Sequence, residues 1–227
     1  MAVAVDTGRG LAPPAEQQHV VERGGAPPEV GGGHAAIEHV PTTTGLDNRK
    51  LLMWAFLASD CMFFGTLIAT YLVYKNRSLD GPLPRETFDI PYTSVSAFVL
   101  LLSSLTMVLA LAAIQRGDER RMRIWLTTTG LLGCVFLGGQ FYEFNSFVRD
   151  GLTLSRNLFG STFFTLTGFH GTHVAIGVFW LGSLVVHSVR GRLHQEHSLM
   201  VEIAGLYWHF VDIVWILIFT LVYLIPD

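Results

Sequence analysis

Seven acidic and histidine side chains lie inside the most apolar segments of this 227-residue sequence and are the first candidates for chemistry. The set comprises four acids and three histidines: Asp60, Glu143, Glu202, Asp212, His170, His173 and His209. No Lys or Arg stands within the same segments. An unpaired charge at the centre of a bilayer costs about 2.5–3.5 kcal/mol. These groups must therefore be protonated, hydrogen-bonded, close to an interface, or paired acid with histidine.

The spacing of polar residues in the last apolar segment predicts that they share one helix face. Glu202, Gly205, His209 and Asp212 follow one another in steps of three and four. Residues three or four apart are neighbours on a helix surface. We therefore expect the two acids and the histidine of this segment to line a common polar seam.

Other segments can contribute to the same seam. His170 and His173 share a face by their spacing, as do Gln140 and Glu143. Asp60 lies about 14 Å along its segment by helix rise, close to mid-membrane. A helix bundle would gather these groups in its interior or in a cleft. The seam is interpreted as a proton relay, an ion path, a lipid-headgroup site or a structural hydrogen-bond network.

The histidines also raise the question of a metal. His170 and His173 have a spacing that two ligands could use, and His209 could be a third. Cys61 and Cys134 are far apart in sequence and form no Cys-rich copper motif. Histidines inside membrane helices are more often hydrogen-bonded than bound to a metal, so the sequence predicts no metal site in this chain. A metal-binding membrane enzyme and a stand-alone ion carrier remain the alternatives.

The elements that position these side chains are five long apolar segments, at about 51–74, 92–115, 124–148, 158–186 and 200–225. Each can cross a bilayer, which takes roughly 20 helical residues. Charged residues make up 15% of the chain, against about 25% in average globular proteins. We predict an all-α polytopic membrane protein, a bundle of five transmembrane helices over residues 49–227. A soluble domain and a membrane β-barrel are excluded.

Small residues within these segments predict close helix packing. The candidates are Gly160, Gly168, Gly171 and Gly205. Glycines let the backbones of membrane helices approach one another. The contact can be made within this chain or with another subunit, and both interpretations stay open here.

Residues 1–48 are rich in Gly, Pro, Ala and Glu, and they predict a flexible cytoplasmic tail rather than a cleaved signal peptide. Ten of the 15 Lys and Arg residues fall on the predicted side of the N-terminus. The positive-inside rule then puts the N-terminus in the cytoplasm and the C-terminus outside. A net charge of −3 argues against a nucleic-acid partner.

Four ordered motifs resemble subunit III of haem–copper terminal oxidases. They are residues 139–144 (GQFYEF), 159–164 (FGSTFF), 167–174 (TGFHGTHV) and 207–215 (YWHFVDIVW). Residues 54–60 resemble the first helix shared by that family, and the likeness extends over about 50–225. The five-span form is similar to the bacterial variant of the family, which implies the bacterial plasma membrane.

The resemblance implies a non-catalytic accessory subunit of a cytochrome c oxidase. Such a subunit stabilises catalytic subunit I, which reduces O2 to water and pumps protons, beside subunit II and a small subunit IV. It carries no haem or copper, which belong to its partners, and it binds phospholipids in a cleft and supports proton uptake. An accessory subunit of a quinol oxidase or of a nitric oxide reductase is the alternative.

The resemblance also implies roles for the polar residues of the apolar segments. Asp60 stands where the family usually has Glu, as the intramembrane carboxyl of that helix. The remaining positions are implied to be structural and lipid-cleft residues: Gln140, Glu143, His170, His173, Glu202, His209 and Asp212.

Overall fold

The computed structural model describes residues 47–75, 90–149 and 158–225. They form five long helices: α1 (Asn48–Tyr74), α2 (Ile90–Gln115), α3 (Glu119–Arg149), α4 (Leu158–Val189) and α5 (Ser198–Ile218). A 3-10 turn (Gln195–His197) precedes α5, and a π-helical segment (Phe219–Leu224) extends it. All five helices are long and apolar enough to cross a membrane, and the described ranges contain no strand. The predicted all-α, five-span fold is confirmed; the tail up to residue 46 lies outside the described residues.

Local signals define the helix ends. Asp47 caps α1, because its side chain accepts a hydrogen bond from the Arg49 backbone amide at 2.8 Å. Gly117 has a φ of 76°, a left-handed conformation that suits glycine, and it turns the chain sharply between α2 and α3. Asp118 then accepts from the Arg121 amide at 2.9 Å. The third helix therefore begins at Glu119, five residues before its apolar stretch.

Helix α5 lies at the centre of the bundle and α1 at its edge. The segment containing α5 packs against α1, α2 and α4, and half of its most apolar stretch is buried. Only 11% of the corresponding stretch of α1 is buried. Polar groups on α5 can therefore meet partners from several helices, whereas most of α1 faces outward.

Trp208 of α5 fills the space where α3 and α4 come closest to it. A Cβ at Gly133 would approach the Trp208 ring to 2.7 Å, and one at Gly177 would approach it to 2.8 Å. The indole N–H of Trp208 donates to the Ser103 hydroxyl of α2 at 2.9 Å. One fully buried ring thus fixes the spacing of four helices, and two glycines make room for it.

Polar contacts join the α2–α3 turn to the α4–α5 connection. His194 Nδ1 lies 2.7 Å from a Glu119 oxygen, and the Gln195 amide donates to the Gln115 carbonyl at 2.8 Å. Arg123 donates to the Ser188 hydroxyl and carbonyl. The hydrogen bond and charge of Glu119 raise the pKa of His194 above its ordinary value of 6.5. The two connections therefore lie together on one side of the bundle.

Gly177→Ala should destabilise the fold, because the added methyl group meets the rigid Trp208 ring. We expect a loss of about 1–3 kcal/mol, typical of overpacking. Gly182→Ala on the same helix is the control, since a Cβ there meets no neighbouring atom within 4 Å in the described part of the chain. Thermal unfolding in detergent measures both, and equal midpoints for the two variants would contradict the packing described.

The His194–Glu119 contact should stabilise the protein in a pH-dependent way. Because the folded-state pKa of His194 is raised, its contribution is fully present below pH 6.5 and is lost as the pH rises through the raised value. His194→Gln keeps the hydrogen bond without the charge. Its unfolding midpoint should fall below that of the parent in acid and converge with it at higher pH. His187→Gln is the control, and a pH-independent difference would reject the ion pair.

Candidate functional site

The polar side chains inside the bundle form separate local contacts in the part of the chain that the structure describes. Each contact joins two or more helices, and most include a residue that the sequence did not single out. Pairs and small clusters therefore take the place of the single seam expected from spacing.

Asp60 of α1 faces His173 of α4. Asp60 Oδ2 lies 3.3 Å from His173 Nε2, and the side chains are only 14% and 16% exposed. His173 Nδ1 lies 2.7 Å from the Phe169 carbonyl, which can only accept, so Nδ1 carries a proton. Nε2 is therefore the ring nitrogen that faces Asp60, although Asp60 Oδ2 has no fully formed hydrogen bond to a described residue. The acid and the imidazole form a close contact between α1 and α4.

Glu202 pairs with a cation rather than with a histidine. The Lys50 ammonium group donates to Glu202 Oε1, and the two side chains are 29% and 31% exposed. Lys50 belongs to the first turn of α1 and Glu202 to the first turns of α5. The contact therefore ties these two helices together near one membrane boundary. Lys50 stands one position before the first apolar segment, so the charges within the segments do not reveal it as the partner of Glu202.

Gln140 joins α3 to α4. Its amide donates to the Thr167 backbone carbonyl at 2.9 Å, and it is buried. A Cβ at Gly171 would lie 2.7 Å from Gln140 Oε1, so a glycine at that position leaves space for the amide. The side chain thereby satisfies its N–H within the bundle.

Glu143 lies in a buried cluster near the end of the bundle opposite to the Lys50–Glu202 pair. Its Oε1 accepts from the Thr93 hydroxyl of α2 at 2.6 Å. The Tyr223 hydroxyl also donates to this carboxyl, and Tyr71 of α1 lies nearby. Thr93 and Tyr223 were not predicted, because neither is distinctive among the hydroxyl groups of the apolar segments.

His209 and Asp212 of α5 converge on one hydroxyl group of α2. The Ser104 Oγ lies 2.6 Å from His209 Nδ1. Asp212 also interacts with this hydroxyl, although neither carboxyl oxygen meets full hydrogen-bond geometry with a described residue. Asp212 is only 3% exposed. This is the part of the predicted face of α5 in which an acid and a histidine meet.

His170 is enclosed by aromatic rings. It is fully buried and stacks on Trp215 at a centroid distance of 5.0 Å, with the edges or faces of Phe136 and Phe64 beyond. Neither ring nitrogen has a hydrogen-bond partner among the described residues. The three span histidines thus have different surroundings. Among the described residues, no three His, Cys, Asp or Glu side chains form a group that could hold a metal ion.

The four candidate packing glycines also differ from one another. A Cβ at Gly205 would lie 3.3 Å from Met107, and Gly171 closely approaches Gln140 as described above. A Cβ at Gly168 would meet no neighbouring atom within 4 Å among the described residues, and Gly160 is buried near the start of α4. Gly133 and Gly177, where a Cβ would meet Trp208 at 2.7 and 2.8 Å, were not predicted.

An apolar cleft of about 340 Å³ opens between α1 and α5. Its walls include Trp54, Ala58 and Cys61 from α1 and Leu206, His209 and Ile213 from α5. His209 therefore presents a polar group to an otherwise apolar space. The residues lining the cleft suit a hydrocarbon chain better than a polar metabolite.

Comparison with known proteins identifies the family. Residues 36–226 match the family model described as cytochrome c oxidase subunit III. The chain is 40% identical to cytochrome c oxidase subunit 3 of Bacillus sp. (strain PS3), over 84% of this chain and 91% of that protein. It is 41% identical to quinol oxidase subunit 3 of Bacillus subtilis (strain 168), over 86% and 95% of the two chains. For cytochrome bo(3) ubiquinol oxidase subunit 3 of Pseudomonas aeruginosa the identity is 38%, over 86% and 91%.

A match over most of the chain, with relatives from both cytochrome c and quinol oxidases, agrees with the five-span bundle. The chain is a multi-pass membrane protein of the cytochrome c oxidase subunit III family, the third subunit of haem–copper oxidases.

Proposed function

We propose that this chain is a non-catalytic accessory subunit that stabilises the catalytic subunit of a respiratory haem–copper oxidase. The observation that carries the proposal is the family match over residues 36–226. Haems and copper belong to partner subunits in this arrangement, and subunits I, II and IV are its neighbours. Relatives at nearly equal identity come from cytochrome c and quinol oxidases. The role is therefore common to both enzymes and independent of the electron donor.

The exposed surface of α1 supports an accessory role within a larger assembly. Trp54, Phe56 and Met62 are between 46% and 76% exposed. Apolar side chains on this outward face require lipid or another subunit as their surroundings. The helix therefore offers a broad surface to the rest of the complex.

Phospholipid is the proposed occupant of the α1–α5 cleft. The cleft is apolar along its walls, and the Lys50–Glu202 pair joins the same two helices near a membrane boundary. A charged group at that level can meet a headgroup while an acyl chain occupies the cleft. Ordered lipid there would cover one flank of the assembly and help to protect the oxidase during turnover.

Proton uptake is the third part of the proposed role. Asp60 and His173 place a carboxyl and an imidazole, two groups that can bind and release protons, at the α1–α4 contact. The proposed orientation has the N-terminus in the cytoplasm and the C-terminus outside, in the plasma membrane of a bacterium. His194 and Glu119 would then face the cytoplasm, where their exposed groups can exchange protons with the solvent.

Purification in a mild detergent should recover this chain with a haem-containing partner. The purified chain alone should show no visible absorption, because the haems belong to the catalytic subunit. An optical spectrum and identification of the copurified subunits test this. Recovery of the chain without an oxidase subunit, or with haem of its own in stoichiometric amount, would contradict the accessory role.

Ala58→Phe should fill part of the cleft and displace lipid. We expect an oxidase carrying this variant to begin near its normal rate and to lose activity sooner over successive turnovers. Bound phosphorus per oxidase and the inactivation curve are the two measurements. Ala55→Phe is the control, because Ala55 is an exposed residue of the same helix and does not line the cleft. Identical lipid content and inactivation in both variants would reject the proposed lipid site.

A further inference from the structure

Two acids in the bundle, Asp60 and Asp212, have a buried carboxyl oxygen without a hydrogen-bond partner among the described residues, and Asp212 is the more deeply buried of the two. It is 3% exposed, and both of its oxygens lack a fully formed hydrogen bond to a described residue. An isolated carboxylate is strongly disfavoured in such surroundings. The structure must therefore offer Asp212 a proton, or a group that stabilises its charge.

Ser104 supplies a connection from Asp212 to the surface of the bundle. Its hydroxyl interacts with Asp212 and lies 2.6 Å from His209 Nδ1. His209 also lines the α1–α5 cleft, so it is the member of this trio that reaches an open space.

We propose that Asp212, Ser104 and His209 form a proton-binding triad, in which the proton of the buried acid exchanges through His209, the member that lines the α1–α5 cleft. The ligand of this site is a proton. Asp60 and His173 form a separate contact between other helices, and the triad does not depend on the proposed accessory role.

Proton transfer between Asp212 and His209 needs only the three side chains of the triad. In one state Asp212 is a neutral acid, and the Ser104 hydroxyl donates to the free Nδ1 of His209. In the other state the Asp212 O–H bond has broken and its proton is on Ser104 Oγ, while the original Ser104 proton has formed the Nδ1–H bond. The products are a carboxylate and an imidazolium, so the net charge of the triad is unchanged. Exchange of the imidazolium protons with solvent, followed by the reverse transfer, places deuterium on the Ser104 hydroxyl. Rotation of that hydroxyl towards the second Asp212 oxygen then allows a cyclic exchange, in which the Asp212 O–H proton moves to Ser104 Oγ while the Ser104 deuteron moves to the second carboxyl oxygen. Asp212 then carries deuterium and remains a neutral acid.

The neighbouring serine provides a matched comparison. Ser103 is buried and receives the Trp208 N–H at 2.9 Å, and its own hydroxyl donates to the Leu100 carbonyl. It is thus a hydrogen-bonded serine of the same helix that takes no part in the triad. Loss of its hydroxyl changes packing and hydrogen bonding close by, while the chain of groups from Asp212 to His209 stays complete.

Infrared spectroscopy of the purified oxidase complex in D2O tests the proposal. The Asp212 band is the carboxylic C=O absorption that Asp212→Asn removes. If that variant does not assemble, Asp212→Glu identifies the band by shifting it. We expect the band to exchange readily in the parent. Ser104→Ala and His209→Gln should slow the exchange at least about tenfold, since a positioned proton-transfer group contributes roughly 10²–10⁴-fold to a rate.

Ser103→Ala should leave the exchange rate within about twofold of the parent, because it interrupts no proton transfer of the triad. Equal rates in Ser104→Ala and the parent would overturn the proposal, as would equal slowing by the two serine variants. Absence of any carboxylic band that depends on Asp212 would also overturn it. The readout is the protonation of one residue, so it is independent of electron transfer and of turnover stability.

Discussion

The absence of water from the hydrocarbon core is the constraint on which this structure depends. A charge left alone there costs about 2.5–3.5 kcal/mol, so each acid of the bundle needs a partner or a proton. The chain meets this need locally. Asp60 meets His173, and Glu202 meets Lys50. Because each contact joins two different helices, the same groups that remove the electrostatic penalty also specify which helices are neighbours and at what depth.

Steric fit adds a second layer of specificity around α5. Apolar side chains cannot choose a neighbour through the hydrophobic effect in a membrane, because lipid is equally apolar. A large ring in a space cleared by glycines can do so. Trp208 lies against Gly133 of α3 and Gly177 of α4, and its N–H meets Ser103 of α2. Shape and one hydrogen bond together define the central helix of the bundle.

Five spans could be predicted from the sequence because bilayer thickness fixes the length of an apolar helix. The partners within the bundle could not, because they depend on the rotation and depth of each helix. Glu202 illustrates this, since its cation, Lys50, stands just outside the apolar segment. Ser104 illustrates it as well, because nothing in its sequence surroundings distinguishes it from Ser103. The spacing on α5 predicted a shared face for His209 and Asp212, but it could not indicate the Ser104 hydroxyl of another helix that both residues approach.

The exposed position of α1 is possible because polar contacts hold this helix in place where apolar packing is sparse. Helix α1 buries little apolar surface, yet it provides Lys50 and Asp60, one near a boundary and one deeper in the bundle. Two polar contacts at different depths fix both the rotation and the height of a helix, even where packing is sparse. They leave its outer face free for lipid or another subunit. A peripheral helix held by polar pairs can therefore keep a cleft open beside α5, whereas a helix held by close apolar packing would fill it.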